Sequence, residues 1–218
     1  MAQVISALQQ KGGVGKSTLV CGIAYLLGRQ GAKVLIVDAD RQGTCVAYHD
    51  TAEKQPFNIT AVTDEAGLRN VLATYGPDHD LVLIDTPGIE SQLTAHVAAS
   101  SDLVLIPSTP SQPDAIGASR TWSLVERVRA ANGGRPRDVQ IILTKFHHKA
   151  RITARITEAF LGHGMPLYTH GLQELTGFKE MYSTGVPTGA AAGALQFLVA
   201  QMQRDGVITW SRAPESCQ

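Results

Sequence analysis

Short runs of consecutive apolar residues alternate along the chain with longer segments in which apolar residues recur every three or four positions. The short runs are rich in valine, isoleucine and leucine, which is typical of strands buried on both faces of a parallel sheet. The longer segments have the periodicity of helices with one buried face. The pattern therefore predicts an α/β fold of three layers, in which helices cover both faces of a mainly parallel, twisted sheet.

This pattern defines the individual elements and the edge of the sheet where a ligand would bind. Parallel sheets of this kind bind ligands at the carboxyl ends of their strands, so we expect chemistry in the loops that follow the strands. The predicted strands are residues 3–8, 33–38, 57–62, 80–85, 102–107 and 139–144, and the predicted helices are residues 17–29, 65–74, 92–99, 114–131, 150–161 and 191–204.

Composition adds limits on size and partners. The chain has 218 residues, of which 44% are apolar and 17% charged, as in a single folded domain. We expect residues 1–205 to form that domain, and residues 206–218, with glycine, proline and polar side chains, to form a loosely ordered tail. The formal net charge is zero, so any binding to nucleic acid would depend on a local basic patch.

The cysteines and the apolar segments favour a cytoplasmic protein. The three cysteines are far apart and none belongs to a C-x-x-C pair, which argues against a disulfide framework or a zinc site. The first residues lack the basic start and long apolar run of a signal peptide. No stretch of 18 apolar residues predicts a membrane span.

The loop after the first predicted strand has the clearest chemical pattern. It reads GGVGKST and stands between a strand and a helix. Glycines let backbone N–H groups surround phosphate oxygens, and the helix N-terminus adds the positive end of its dipole. This is the pattern of a P-loop, in which Lys16 contacts the β- and γ-phosphates and Ser17 binds Mg²⁺. Gln10 replaces the usual first glycine, so the motif is a variant. The predicted phosphate loop comprises Gly12, Gly13, Val14, Gly15, Lys16, Ser17 and Thr18.

The longer stretch KGGVGKST resembles the deviant Walker A motif of the ParA/MinD family of P-loop ATPases, and the chain is similar to that family from end to end. The resemblance implies ATP and Mg²⁺ as cofactors and a homodimer that forms with ATP. It also implies that Lys11 reaches across the dimer to the phosphates bound by the partner subunit. From the residues alone, a solvated lysine beside the loop is the alternative.

The stretch VDADRQG resembles the first switch of the same family. By that match Asp40 orients the attacking water and is catalytic together with Lys11 and Lys16, and Asp38 supports the metal and the loop. Both aspartates could instead be simple caps at a strand end. The family usually has proline where Arg41 stands, and proline would fix the backbone. Whether Arg41 is catalytic, structural or partner-facing is open.

Three later motifs supply further candidates. LVLIDTPG has the form of a Walker B strand, so Asp85 is predicted to hold Mg²⁺ together with Ser17 and Asp38. IPSTPSQPD resembles the proline-rich loop of small plasmid ParA proteins, which lies near the nucleotide, and Pro107 is the predicted contact there. LTKFHH lacks the aspartate of the guanine-binding N-K-x-D motif, which favours ATP over GTP and makes Lys145 a candidate nucleotide contact.

The resemblance is greatest to small ParA-type partition ATPases without an N-terminal DNA-binding domain. It implies sequence-independent DNA binding on the nucleoid, slow hydrolysis stimulated by a ParB-like or cargo-adaptor protein, and movement of plasmid, chromosomal or protein cargo. The stretch KFHHKARITAR contains the candidate DNA contacts, which we call the basic patch: Lys149, Arg151 and Arg155. A solvated helix face would have the same composition.

Two other functions use the same scaffold. A MinD-like protein would bind the membrane through a basic amphipathic helix near its end, and the last residues here have no basic face, so we expect no stable membrane binding. A small-molecule ligase is the second alternative. Lys11 and the DADRQG loop argue against it.

Overall fold

The computed structural model describes residues 2–88 and 92–210 of the chain. Its strands and helices alternate as the sequence predicts, and a short 3-10 turn lies at Gly76–Asp78. The strands are β1 (Gln3–Ala7), β2 (Val34–Asp38), β3 (Asn58–Ala61), β4 (Leu81–Asp85), β5 (Leu103–Ser108), β6 (Asp138–Phe146) and β7 (Leu172–Gln173). The helices are α1 (Lys16–Arg29), α2 (Thr44–His49), α3 (Glu65–Tyr75), α4 (Gln92–Ser100), α5 (Gln112–Ala131), α6 (Arg151–Gly162), α7 (Thr176–Thr184) and α8 (Gly189–Arg204).

The seven strands form one sheet in the order β3-β2-β4-β1-β5-β6-β7, and every neighbouring pair is parallel. The chain moves from β1 to one side of the sheet and later crosses back over β1 to the other side. The strand order therefore reverses at β1, and ligands bind outside the carboxyl ends of strands at such a point. The predicted three-layer α/β fold is confirmed.

Two apolar clusters form the core, one on each face of the sheet. Successive strand residues point to opposite faces. In β1, Ile5 and Ala7 therefore pack with α1, α7 and α8, while Val4 packs with the helices of the other layer. Burial on both faces explains why the strands are almost continuously apolar.

The sequence pattern missed three elements, namely α2, β7 and α7. The first two contain six and two residues, which is too short for a periodicity to be visible. Helix α2 also has no side-chain cap of its own. Its position depends instead on contacts with residues that are distant in the chain.

The segment that follows α8 packs against the domain. Ile208 is 1% exposed and Trp210 is 9% exposed, and both belong to the core cluster on the α1 side. The side chain of Gln3 donates to one backbone carbonyl of this segment and accepts from one of its N–H groups, each at 2.9 Å. Residues 206–210 are thus ordered by apolar burial rather than forming a loose tail. Residues 211–218 lie outside the described residues.

Gly28 provides a test of the packing of α1. A Cβ at this position would lie 2.0 Å from the backbone oxygen of Pro56, and a backbone atom cannot turn aside as a side chain can. We expect Gly28→Ala to destabilise the protein by about 1–3 kcal/mol, the usual cost of overpacking, as measured by urea unfolding.

The matched control is Gly193→Ala in α8, where an added Cβ would meet nothing within 4 Å. Alanine is favoured over glycine inside a helix, so this variant should gain about 0.5–1 kcal/mol. Equal free energies of unfolding for the two variants would contradict the packing described for α1.

Candidate functional site

The phosphate loop curls round the side chain of Lys16 at the carboxyl end of β1. Gly13 and Gly15 have φ values of 77° and 94°, in the left-handed region that favours glycine. Lys16 is the first residue of α1, and its Nζ donates to the carbonyl oxygen of Lys11 at 3.0 Å. The first N–H groups of α1 lie at the same point, where they and the helix dipole favour an anion.

An open cleft of about 800 Å³ lies against the phosphate loop. Its opposite walls come from the first switch and from the segment that follows β4. An added Cβ on Gly88 would lie 2.8 Å from the backbone nitrogen of Gly12, so this segment approaches the loop as closely as glycine allows. The predicted site residues that line the cleft are Gly12, Gly13, Gly15, Lys16, Ser17, Thr18, Asp40 and Lys145, and Arg41 lines it as well.

Asp85 lies beneath the cleft at the end of β4 and is fully buried. Its Oδ2 accepts hydrogen bonds from Ser17 Oγ at 2.5 Å and from Cys45 Sγ at 3.3 Å. In the part of the chain that the structure describes, its Oδ1 has no hydrogen-bond partner. Burial raises the pKa of Asp85 to about 6, against the opposing effect of the Ser17 hydrogen bond. A carboxylate and a hydroxyl are the oxygen donors that Mg²⁺ prefers, so Ser17 and Asp85 fit the predicted metal.

Asp38 is arranged differently from the metal ligand that the sequence predicts. It is 1% exposed and is not among the residues that line the cleft. Its Oδ2 accepts the backbone N–H groups of Cys45 and Val46 at 3.0 and 3.1 Å, and its Oδ1 accepts the N–H of Asp40 at 3.1 Å. Because backbone donors occupy both oxygens, the carboxylate of Asp38 braces the first switch and caps α2.

The turn that carries Asp40 is held by its own hydrogen bonds. Asp40 Oδ1 accepts from the N–H of Gln42 at 3.0 Å, and the carbonyl oxygen of Asp40 accepts from the N–H of Gly43 at 2.9 Å. These hydrogen bonds hold the turn in one conformation, as the proline that the family usually has at position 41 would do. Arg41 is exposed and lines the cleft, where its side chain adds a positive charge.

Lys11 points away from the cleft of its own subunit. Its side chain is 47% exposed, and its Nζ pairs with Asp114 Oδ1 in the first turn of α5. The hydroxyl of Thr109 donates to the other oxygen of Asp114. Burial acts to raise the pKa of Asp114, but the hydrogen bonds from Lys11 and Thr109 outweigh it and lower the pKa below its usual value. Lys11 is thus held beside the loop by Asp114, with about half of its side chain exposed.

Pro107 does not line the cleft, unlike the contact predicted for it. It is buried within β5, and its carbonyl oxygen accepts from Gln9 Nε2 at 3.4 Å. The side chain of Gln9 also donates to the carbonyl of Asp114. This region therefore anchors the base of the phosphate loop from inside the fold.

Lys145 joins the phosphate loop to a second cavity. Its φ of 51° falls at an irregularity in the pairing of β6 with β7, and its Nζ donates to the carbonyl oxygen of Gly13 at 2.6 Å. Lys145 also lines the second cavity, of about 330 Å³, together with Leu175, Phe178 and Tyr182. A mostly apolar cavity directly beside a phosphate site has the character of a nucleobase pocket.

Sequence reasoning missed three side chains that contribute to the site. Tyr182 contacts Thr18 through their hydroxyl groups at 3.0 Å, Cys45 contacts Asp85, and Asp114 holds Lys11. Asp114 ends the IPSTPSQPD stretch, but its pairing with Lys11 was not predicted from it, and Tyr182 and Cys45 belong to none of the motifs. Each is far in the chain from the residue it contacts, and only the fold brings them together.

The basic patch lies at the start of α6. Lys149 precedes the helix, and Arg151 and Arg155 are one turn apart on it, all three exposed. Within residues 2–88 and 92–210, none of the three forms an ion pair. The structure brings these cations to one exposed region, and DNA contact through them stays a prediction.

Comparison with known protein families agrees with this geometry. Residues 5–188 match the family model described as the CobQ/CobB/MinD/ParA nucleotide binding domain. The chain belongs to this family. The resemblance to the ParA/MinD family of P-loop ATPases, predicted from the motifs, is thereby confirmed.

Curated relatives and solved structures from this family align with most of the chain. Protein ParA of Rhizobium radiobacter is 25% identical over 185 residues, covering 84% of this chain and 83% of its own. The chromosome-partitioning ATPase Soj of Thermus thermophilus is 27% identical over 236 residues, covering 91% and 94%. The McdA(D38A)–ATP complex of Cyanothece shares the fold with a TM-score of 0.77 and 14% identity, over 97% of this chain and 99% of that one.

The raised pKa of Asp85 makes a prediction for stability. The pKa is about 6 in the folded chain against an ordinary 3.8, so ionising this carboxyl costs stability as pH rises through that interval, and the full cost is present above it. Asparagine does not ionise. We expect the melting temperature of Asp85→Asn, relative to the wild type, to rise by on the order of 5 °C between pH 5 and pH 8.

The measurement is thermal unfolding without nucleotide or divalent cation, because either ligand would change the charge balance at Asp85. If the difference in melting temperature between the two proteins did not change with pH, the raised pKa of Asp85 would be wrong.

Proposed function

We propose that this chain is an ATP-dependent, dimerising ATPase of the ParA type, which binds DNA without sequence preference and drives the segregation or positioning of cargo. The observation that carries the proposal is the position of Lys11. A lysine that served its own phosphate loop would point into the cleft, as Lys16 does. Lys11 instead pairs with Asp114, does not line the cleft and is about half exposed, so its side chain is accessible to a nucleotide held by a second subunit.

ATP and Mg²⁺ fit the site as substrate and cofactor. The phosphates would lie on the phosphate loop against Lys16, with the base in the cavity beside Tyr182. Ser17 and the unpartnered Oδ1 of Asp85 would hold Mg²⁺, which neutralises charge that develops on the phosphates. The absence of an aspartate after Lys145 favours adenine over guanine.

The chain's own residues account for slow hydrolysis. Lys16 stabilises negative charge on the phosphates, and Asp40, at the cleft wall, orients the attacking water. An arginine finger contributes about 10³–10⁵ to the rate in related reactions. Lys11 would supply its charge from the partner subunit as a single ammonium without a planar fork. We therefore expect the ATPase to act as a timer that a partner protein stimulates.

DNA binding that depends on dimerisation follows from the zero net charge. Suppose that each subunit makes about three phosphate contacts through the basic patch. A plot of the logarithm of the DNA-binding constant against the logarithm of the salt concentration then has a slope of about −2.7 for a monomer. For a dimer, which makes twice as many contacts, the slope is about −5.4. Only the dimer would then remain on DNA at physiological salt. ATP would act as the switch for binding to the nucleoid.

The relatives support the partition branch of the family. One aligned relative is named ParA and the other is named a chromosome-partitioning ATPase, and the alignments cover most of each chain. A ParB-like or cargo-adaptor protein is the proposed partner, with plasmid, chromosomal or protein cargo.

In the described part of the chain, no helix is long and apolar enough to cross a membrane.

The dimer can be tested by size-exclusion chromatography with ATP and with ADP. The wild type should form a dimer with ATP alone. Asp40→Ala should keep the dimer for longer, because turnover falls by about 10²–10⁴ when a general base or water-orienting group is lost. Lys11→Ala should bind ATP but remain monomeric, whereas Lys16→Ala should lose ATP.

These variants separate the roles of the two lysines. Dimerisation of Lys11→Ala with ATP would contradict a role for Lys11 across the interface. Fast hydrolysis by the wild type without any partner protein would contradict the timer.

The basic patch can be tested from the salt dependence of binding to arbitrary duplex DNA in the presence of ATP. Removing two of three contacts per subunit with Arg151→Ala and Arg155→Ala should reduce the slope from about −5.4 to about −1.8. The control is Arg29→Ala at the end of α1, at the opposite edge of the sheet. It should leave the slope unchanged.

Two results would argue against this surface. If the wild type bound DNA equally strongly with ATP, with ADP and without nucleotide, the proposal that ATP controls DNA binding would be wrong. If Arg29→Ala reduced the salt-dependence slope as much as the double variant of Arg151 and Arg155, DNA binding would depend on overall charge rather than on the basic patch.

A further inference from the structure

Cys45 lies between two acidic residues at the ends of neighbouring strands. Strands β2 and β4 pair so that Asp38 stands opposite Asp85. The backbone N–H of Cys45 donates to Asp38 Oδ2 at 3.0 Å, and its thiol donates to Asp85 Oδ2 at 3.3 Å. Cys45 is 0% exposed, so water does not compete for either bond. Cys45 therefore connects Asp38, which holds the first switch, to Asp85, which lies beneath the cleft.

The thiol also helps decide which oxygen of Asp85 is available to a ligand. Ser17 Oγ and Cys45 Sγ both donate to Oδ2. In the described residues, Oδ1 has no donor. Two donors that approach one oxygen from different helices restrain rotation of the carboxylate. They leave Oδ1 as the oxygen without a partner.

We propose that Cys45 is a positioning residue for the metal-holding carboxylate of Asp85. The inference rests on the proposed Mg²⁺–ATP function of the site. Cys45 is not among the residues that line the cleft, so it would act through Asp85 and not by touching nucleotide. Its second bond, to Asp38, ties the position of Asp85 to the loop that carries Asp40.

A thiol suits this position because the surroundings are apolar. Cys45 belongs to the core cluster formed with α1 and α7, and a cysteine packs there as a small apolar residue while keeping a weak donor. Groups that orient metal ligands commonly change metal affinity by about 10–100-fold when they are removed. A single weak donor places the expected effect at the lower end of that range.

The test compares variants that keep or remove the donor. Cys45→Val keeps the bulk without a donor, Cys45→Ala removes both, and Cys45→Ser keeps a donor. Binding of a fluorescent ATP analogue is titrated with Mg²⁺ and, separately, measured in EDTA. We expect the valine and alanine variants to need about tenfold more Mg²⁺ for half-saturation. Their affinity in EDTA should equal that of the wild type, and the serine variant should need no more Mg²⁺ than the wild type.

Leu198→Ala is the control for packing. Leu198 is a fully buried residue of the same core cluster on α8, and its side chain has no donor. Cys21 is unsuitable as a control because its thiol is hydrogen-bonded to that of Cys45. Loss of the Leu198 side chain should lower the melting temperature without changing the Mg²⁺ requirement. Melting temperatures of all the variants show which of them are folded, so a loss of packing is separated from a loss of Mg²⁺ binding.

The outcomes separate this inference from the proposed function. An unchanged Mg²⁺ requirement in folded Cys45→Val or Cys45→Ala would overturn the positioning role. A serine variant as impaired as the alanine variant would overturn it too, because the donor would then be irrelevant. Wild-type protein that binds the ATP analogue without any dependence on Mg²⁺ would overturn the proposed function itself, and the positioning role with it.

Discussion

The burial of two opposite charges, Lys16 and Asp85, beneath one loop is the constraint on which the site depends. Burial lowers the pKa of Lys16 and raises the pKa of Asp85, although each partly offsets the cost for the other. Without a ligand, the charged form of each is therefore disfavoured. A phosphate beside the ammonium and a divalent cation beside the carboxylate would relieve both costs together. The same burial that costs stability would thus favour binding of a metal–nucleotide complex over the empty site.

The fold supplies this arrangement by placing β1 at the centre of the sheet. Because β1 lies between β4 and β5, the phosphate loop stands next to the end of β4, which carries Asp85. The next strand outward, β2, brings Asp38 into register with Asp85. The backbone groups of the first switch then close on Asp38. The first switch is therefore held in place by a buried carboxylate.

The two lysines of the opening motif differ because their surroundings differ. Lys16 is 7% exposed and turns back to the carbonyl of Lys11, whereas Lys11 is held at the surface by Asp114. Asp114 is itself buried, whereas the side chain of Lys11 is about half exposed. The side chain of Lys11 is therefore accessible from outside the subunit. This difference in burial connects a nucleotide site to the proposed control of dimerisation and DNA binding.

Much of the fold could be predicted because local chemistry was sufficient. Continuous apolar runs identified six of the seven strands, and the glycines and lysine of the phosphate loop identified the site, because these features follow from short-range periodicity and spacing. The predicted roles of Lys11, Asp38 and Asp40 came from the family resemblance, whereas Ser17, Asp85 and the preference for ATP were predicted from short motifs. The one unusual residue, Arg41, could be located in the cleft but not explained by any motif.

Tertiary structure alone decided the contacts between distant segments. It showed that backbone N–H groups occupy both oxygens of Asp38, that Pro107 does not line the cleft, and that residues 206–210 pack against the core. It also placed Cys45 against Asp85 and Asp114 against Lys11. The sequence by itself determined most of the elements and the position of the phosphate-loop motif, since both depend on neighbouring residues. Which side chains stabilise or orient that site depends on burial and on strand order, and these exist only once the sheet has formed.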